Sequence, residues 1–159
     1  MTQKNLSVWL KVIIGGLVIL ALIVYGFIVP EAGKTILSGA PEFKSWYLPW
    51  LIFSWLTAVP CLIAAIFAWK VADNIGKDRS FSNENALLLK RISILAALEG
   101  ALIVTGNIVF FLLGMNHPGI VIALFMIAFV PFAVSVACAA LSHLVKKAAD
   151  LQEESDLTI

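Results

Sequence analysis

Apolar residues run along this chain in long unbroken stretches, and acids and bases are confined to the segments between them. Residues 12–30 and 45–69 contain no Asp, Glu, Lys or Arg, and neither do the 46 residues between Glu99 and Lys146. That last stretch is interrupted only by Gly114-Met115-Asn116-His117-Pro118-Gly119, a cluster of turn-forming residues. Roughly 20 apolar residues carry an α-helix across the hydrocarbon of a bilayer. The pattern therefore predicts an all-α protein with four spans, at about 10–29, 47–71, 92–113 and 120–144.

The breakers place the joints. Pro30 ends the first span, and Gly33, Gly39 and Pro41 predict an irregular external loop from Glu31 to about Trp46. Pro49 lies near the start of the second span, and Pro60 and Pro131 lie inside the second and fourth, where each removes a backbone donor and favours a kink. Gly76 is a natural helix stop. Ser82 is a natural N-cap for the third helix, with Phe81 placed to staple onto Ala86 and Glu84 in the first turn, where an acid suits the helix dipole. Pro118 fits the first turn of the fourth helix, which makes spans three and four a tight hairpin. Leu141, Leu144, Ala148 and Leu151 keep one apolar stripe running past the membrane on a continuing helix.

Composition agrees. Hydrophobic residues make up 61% of 159 and the mean hydropathy is +0.98, more apolar surface than so small a soluble fold could hide. One domain, 1–159, with a short tail at 146–159, accounts for the length. A net charge of +1 gives no sign of direct nucleic-acid binding. Placement says more. Nine Lys or Arg fall in the N-terminus, the middle loop and the tail, against Lys34 and Lys44 alone in the segments between, so both termini are expected in the cytosol of a plasma-membrane protein. Trp46, Tyr47 and Trp50 then mark the outer interface, and Trp9 and Trp69 the inner.

Candidate chemistry is sparse. Cys61 and Cys138 both fall in spans and read as packing thiols. His117 and His143 are too far apart to share a metal, and no nucleophile, base and orienting acid gather on one side, so neither enzyme activity, cofactor nor metal is expected. Glu99 is the one acid inside a span. A carboxylate at mid-bilayer costs about 3 kcal/mol, so it must face protein or water or hold a proton. At 100° per residue it shares a face with Ala96, Gly100, Ile103, Gly106 and Asn107. Thr57 and Ser135, with Ser54 and Ser142, are candidate partners on neighbouring spans. Either a proton- or cation-responsive polar site or an interhelical hydrogen bond that fixes the bundle satisfies this pattern. Gly15, Ile19, Leu22 and Gly26 form a second face with small residues, suited to packing within the bundle or to a homo-oligomer seam.

The tail changes sign. Lys146 and Lys147 give way to a last ten residues with four acids and no base, ending Leu157-Thr158-Ile159. Glu84, Asn85, Lys90 and Arg91 in the middle loop, with Glu153, Glu154 and Asp156 in the tail, are candidate contacts for a soluble partner; the bland alternative is a tail that folds onto the loop or hydrates the helix end.

The stretch Asn74-Ile75-Gly76 through Phe81-Ser82-x-Glu84-Asn85, followed by Leu89-Lys90-Arg91-Ile92, resembles bacterial membrane proteins of the YoaS-like domain-of-unknown-function 2975 family. The turn His117-Pro118-Gly119-Ile120 and the ending Leu151-x-x-Glu154-x-Asp156-Leu157-Thr158-Ile159 are similar to that family too. The resemblance covers essentially the whole chain and implies a four-span protein without an assigned activity. Genes of the family often lie beside a small helix-turn-helix regulator of the Cro/CI type, so the resemblance also implies a membrane partner for a transcription factor. The expectation is a non-enzymatic docking module for a cytosolic regulator, in a four-helix bundle with lipid as solvent. The alternative is a small oligomeric transporter, channel or ligand sensor that uses Glu99.

Overall fold

The computed structural model describes residues 2–39 and 41–157, and of Pro41, Asp156 and Leu157 the backbone alone. Every regular element among them is helical, and four rods are long and apolar enough to span a membrane. The first rod is α1 (Gln3–Ile23), a π-turn (Val24–Ile28) and α2 (Val29–Gly39). A 3-10 turn (Pro41–Phe43) leads into α3 (Lys44–Gly76), followed by α4 (Asn83–Leu112) and α5 (Pro118–Leu157).

The rods pack in chain order. α1 lies on α3, α3 on α4 and α4 on α5, while no Cα of α1 comes within 8 Å of one in α4 or α5. α4 is therefore the central helix, and it holds most of the buried residues. Ala96, Glu99, Gly100, Ile103 and Asn107 are all buried, on the face that the 100° rotation predicts. The small residues of that face admit rings rather than another backbone. A Cβ on Gly100 would lie 2.9 Å from the Phe132 ring, and one on Gly106 would lie 2.2 Å from Phe53. On the first rod, by contrast, Gly15 approaches a neighbour, a Cβ there lying 4.0 Å from the Trp69 ring, while Ile19 and Leu22 are exposed and Gly26 faces open space.

The segment 31–39 corrects the expected irregular loop, because the helix runs on through Pro30. Proline has no N–H and its ring crowds the carbonyl four residues back. The π-turn just before it relieves this conflict, with the Val29 N–H reaching back five residues to the Val24 carbonyl. The Tyr25 carbonyl thereby loses its helical donor, and the Trp55 indole N–H of α3 donates to it at 3.1 Å. Gly33 stays helical because its missing side chain makes room for Tyr47, whose ring lies 2.6 Å from where a Cβ would be.

At the end that carries both termini, polar contacts tie all four rods together. Ser7 donates to the Ala72 carbonyl at 2.6 Å, Lys11 pairs with Asp73, and Ser142 donates to the Ala86 carbonyl at 2.7 Å. Asn85 is the centre of the α3–α4 turn. It accepts from Asn74 at 2.9 Å and donates to the Arg79 and Ser80 carbonyls, each at 3.1 Å. Ser82 caps α4 as expected, accepting from the Asn85 N–H. Phe81, expected to staple onto Ala86, is 59% exposed; Ala86 packs with Leu89, Val145 and Val71. α3 does end at Gly76, but the left-handed residue that closes it is Asp78, φ 57°, with Arg79 N–H reaching the Asn74 carbonyl. Gly76 is needed for packing, since a Cβ there would sit 2.7 Å from the Ser7 hydroxyl. At the other end, Gly114 (φ 69°) closes α4 and Pro118 opens α5, as the sequence predicts.

Asn85→Ala would strand two carbonyls and the Asn74 amide. We expect a loss of about 1–3 kcal/mol in unfolding from detergent micelles, with Asn83→Ala, at an exposed position, as the near-neutral control. The Lys11 ammonium hydrogen-bonds Asp73 and holds its carboxyl below the usual carboxylate range. A folded pKa below the unfolded one stabilises fully above about pH 4 and is lost as pH falls through the folded value. The stability gap between wild type and Asp73→Asn should therefore be flat above about pH 5 and close on acidification.

Candidate functional site

Polar side chains inside the apolar stretches settle at three levels of α4. Ser93 faces Ser135 of α5 at 3.3 Å, nearest the termini. Asn107, fully buried, donates to the Val121 carbonyl at 2.9 Å and accepts from Asn116 at 2.6 Å, so it pins the α4–α5 hairpin. Glu99 lies between them. Eight residues, or about 12 Å of helix, separate it from Asn107. The expected single site of Glu99, Asn107, Thr57 and Ser135 is thus divided. Asn107 pairs with Val121 of α5 and Asn116 of the turn, and Ser135 with Ser93 of α4, so neither hydrogen-bonds the carboxyl.

What remains around Glu99 comes from three rods. Glu99 is 9% exposed, and its Oε2 atom is buried with no hydrogen-bond partner among the described residues. The phenol of Tyr25 and the thiol of Cys61 lie within electrostatic range of the carboxyl. Tyr25 belongs to the π-turn, and its hydroxyl neighbours that of Thr57, which itself donates to the Ser54 carbonyl at 2.8 Å. The site therefore joins α4 through Glu99, α3 through Thr57 and Cys61, and the first rod through Tyr25. The sequence points to Glu99 as the one acid inside a span and to Thr57 as a polar candidate on a neighbouring span. Tyr25 was not foreseen, and the one available signal was Pro30, whose ring forces the turn that carries it.

The arrangement suits holding a proton or a compact positive charge more than it suits bond chemistry. Among the described residues no three His, Cys, Asp or Glu gather as metal ligands. Cys61 and Cys138 are free thiols.

The expected partner contacts separate as well. Glu84 is exposed and paired with Arg79 at 3.1 Å; Lys90 and Arg91 are exposed, with the Arg91 guanidinium 5.7 Å from the Phe67 ring centre. Asn85 is only 1% exposed, and its amide is occupied by the turn, which removes it from any contact surface. Glu153 and Glu154 are exposed on α5. The side chains of Asp156 and Leu157, and residues 158–159, lie outside the described residues.

Comparison with known proteins now decides the family. A family model described as "Protein of unknown function (DUF2975)" matches residues 31–159. The chain is also 31% identical over 159 aligned residues to the uncharacterized membrane protein YoaS of Bacillus subtilis (strain 168), covering 96% of this chain and 97% of the relative. The chain belongs to this family. No solved structure matches it. The family model begins at Glu31, just past the π-turn, whereas the likeness to YoaS extends over nearly the whole chain, the first rod included. Membership makes the protein a membrane protein with four candidate spans.

Glu99→Leu tests what the carboxyl contributes to the fold. A buried carboxyl whose oxygen lacks a partner burdens the folded state, so the variant should unfold at the same detergent-to-SDS ratio as wild type or later, by up to about 3 kcal/mol. A loss of more than about 1 kcal/mol would assign Glu99 to the fold.

Proposed function

We propose that this protein is a non-enzymatic docking module that displays a helical arm to a cytosolic protein, most simply a helix-turn-helix regulator encoded beside it. One observation supports the reading above the others. α5 runs unbroken for 40 residues, about 60 Å, where a bilayer core takes about 30 Å. With both termini inside, as the bias of basic residues favours, the last turns of α5 stand in the cytosol. Val145 and Ala149 brace that arm, being buried, while Leu144 and Leu151 are exposed beside Asp150, Gln152 and Glu153. An exposed apolar strip with an acidic margin is a surface on which a basic, apolar partner groove can settle.

The test is co-expression with that regulator. Fluorescently tagged regulator should gather at the membrane with the full chain and return to the cytosol when the chain is cut after Lys147. A regulator that diffuses freely beside the full chain would refute the proposal. Leu151→Glu should release it as truncation does, while leaving the four spans inserted.

A second reading has its own observation, the unpartnered Glu99 oxygen. It takes the site of Glu99, Tyr25 and Thr57 as a proton- or cation-responsive point in a small oligomeric transporter or sensor. The exposed α1 face at Ile19 and Leu22 would supply the contact between copies. Proton flux in liposomes that disappears in Glu99→Gln would support it, and absence of flux at every pH would discard it.

A further inference from the structure

The end opposite the termini carries a pocket of about 520 Å³, framed by α2, α3 and the α4–α5 turn. That volume falls within the range of small-molecule sites. Its shape is set by its walls. Lining residues on α3 run from Trp46 to Ser54, about 12 Å along the helix, and those on α2 from Val29 to Leu37, also about 12 Å. The pocket is thus a slot parallel to the rods, the direction in which lipid chains lie when the rods span a bilayer.

The walls offer a ligand almost nothing polar. The Trp50 indole N–H already donates to the Met115 carbonyl at 2.8 Å, and the Ser54 hydroxyl donates to the Trp50 carbonyl at 2.8 Å. The Tyr47 hydroxyl donates to the Pro30 carbonyl at 3.4 Å. At His117, Nδ1 accepts from the Gly119 N–H at 3.1 Å, which leaves its Nε2 and the Trp46 indole N–H as the open polar atoms of the wall. A polar guest would lose its hydrogen bonds to water with little replacement, whereas an apolar chain would lose none.

The slot is preformed. Trp50 is held at one side by the bond to Met115 and by the Phe110 ring, 4.5 Å away between centres. On the other side the Tyr47 ring lies where a Gly33 side chain would be, so α2 is fixed against α3. Collapse would break these contacts. The slot also continues onto the lipid-facing surface, since Ile36 lines it and is 59% exposed. Lys44, exposed and without an ion pair among the described residues, directly follows Phe43, which lines the slot.

We propose that the slot between α2, α3 and the α4–α5 turn is a binding site for one acyl chain of a membrane phospholipid, with its phosphate beside Lys44. The site is independent of the docking reading and of Glu99.

Native mass spectrometry of the full chain, purified and exchanged into lipid-free detergent, tests it. Wild type should retain a single phospholipid. Ile36→Trp, which fills the slot, should lower the retained fraction roughly tenfold, and Lys44→Glu should lower it less. Leu22→Trp, on the exposed face of α1, should leave it unchanged. Ala32→Phe is a second way to fill the slot should the Trp variant fail to fold. Wild-type protein that carries no phospholipid, that carries only detergent or free fatty acid, or that keeps its phospholipid equally in a folded slot-filled variant would overturn the proposal.

Discussion

Lipid offers the backbone no hydrogen bonds, and that one constraint shapes the molecule at every scale. Helices satisfy it along four rods. Where proline breaks the pattern, the structure restores it locally. Pro30 removes an N–H and crowds a carbonyl, a π-turn widens the helix, and the Tyr25 carbonyl left over is taken by Trp55 from the neighbouring rod. This repair joins the Ser7 and Lys11 contacts in holding the first rod on α3. It also sets Tyr25 near the Glu99 region and carries α2 onward as a wall of the slot at the end opposite the termini. A sequence conflict at one residue thus positions both of the molecule's distinctive features.

The same constraint sorts the side chains. Polar groups at the termini-bearing end bind each other across all four rods, and those at the hairpin end bind Asn107, Asn116 and the carbonyls beside them. Two buried side-chain oxygens among the described residues have no partner, Glu99 Oε2 and Asn116 Oδ1. Asn116 lies in a turn, beside the helix ends it helps to hold. Glu99 lies mid-rod, where an unsatisfied carboxyl weighs against folding. The open packing order leaves α1 bound to α3 alone among the other rods.

The architecture was largely legible in the sequence because its signals are long. Charge-free runs report spans, and the 100° rotation that gathers Ala96, Glu99, Ile103 and Asn107 reports the buried face of α4. Short signals were less reliable where two explanations compete for one residue. Gly33 and Gly76 read as breakers, yet each is a helical residue kept small for a neighbour, Tyr47 and Ser7. Asn85 read as a surface contact because polar residues near loops usually are; its burial follows from the carbonyls freed at the end of α3, which no pattern along the chain records. The Glu99 neighbourhood was half legible. Thr57 is legible as a polar residue on a neighbouring span, but Tyr25 comes from a change of helical register, and Asn107 and Ser135 bond other partners.

The central claim is that four rods cross the bilayer and return both termini to one side. Labelling by a membrane-impermeant maleimide tests it most directly, using single cysteines at Asn5, Ser38, Lys77 and Ser155 in a background with Cys61→Ala and Cys138→Ala. In intact cells the Ser38→Cys protein should react, and the other three should react only after permeabilisation. Reaction of Asn5→Cys and Ser155→Cys from opposite sides, or of Ser38→Cys and Lys77→Cys from the same side, would contradict the account.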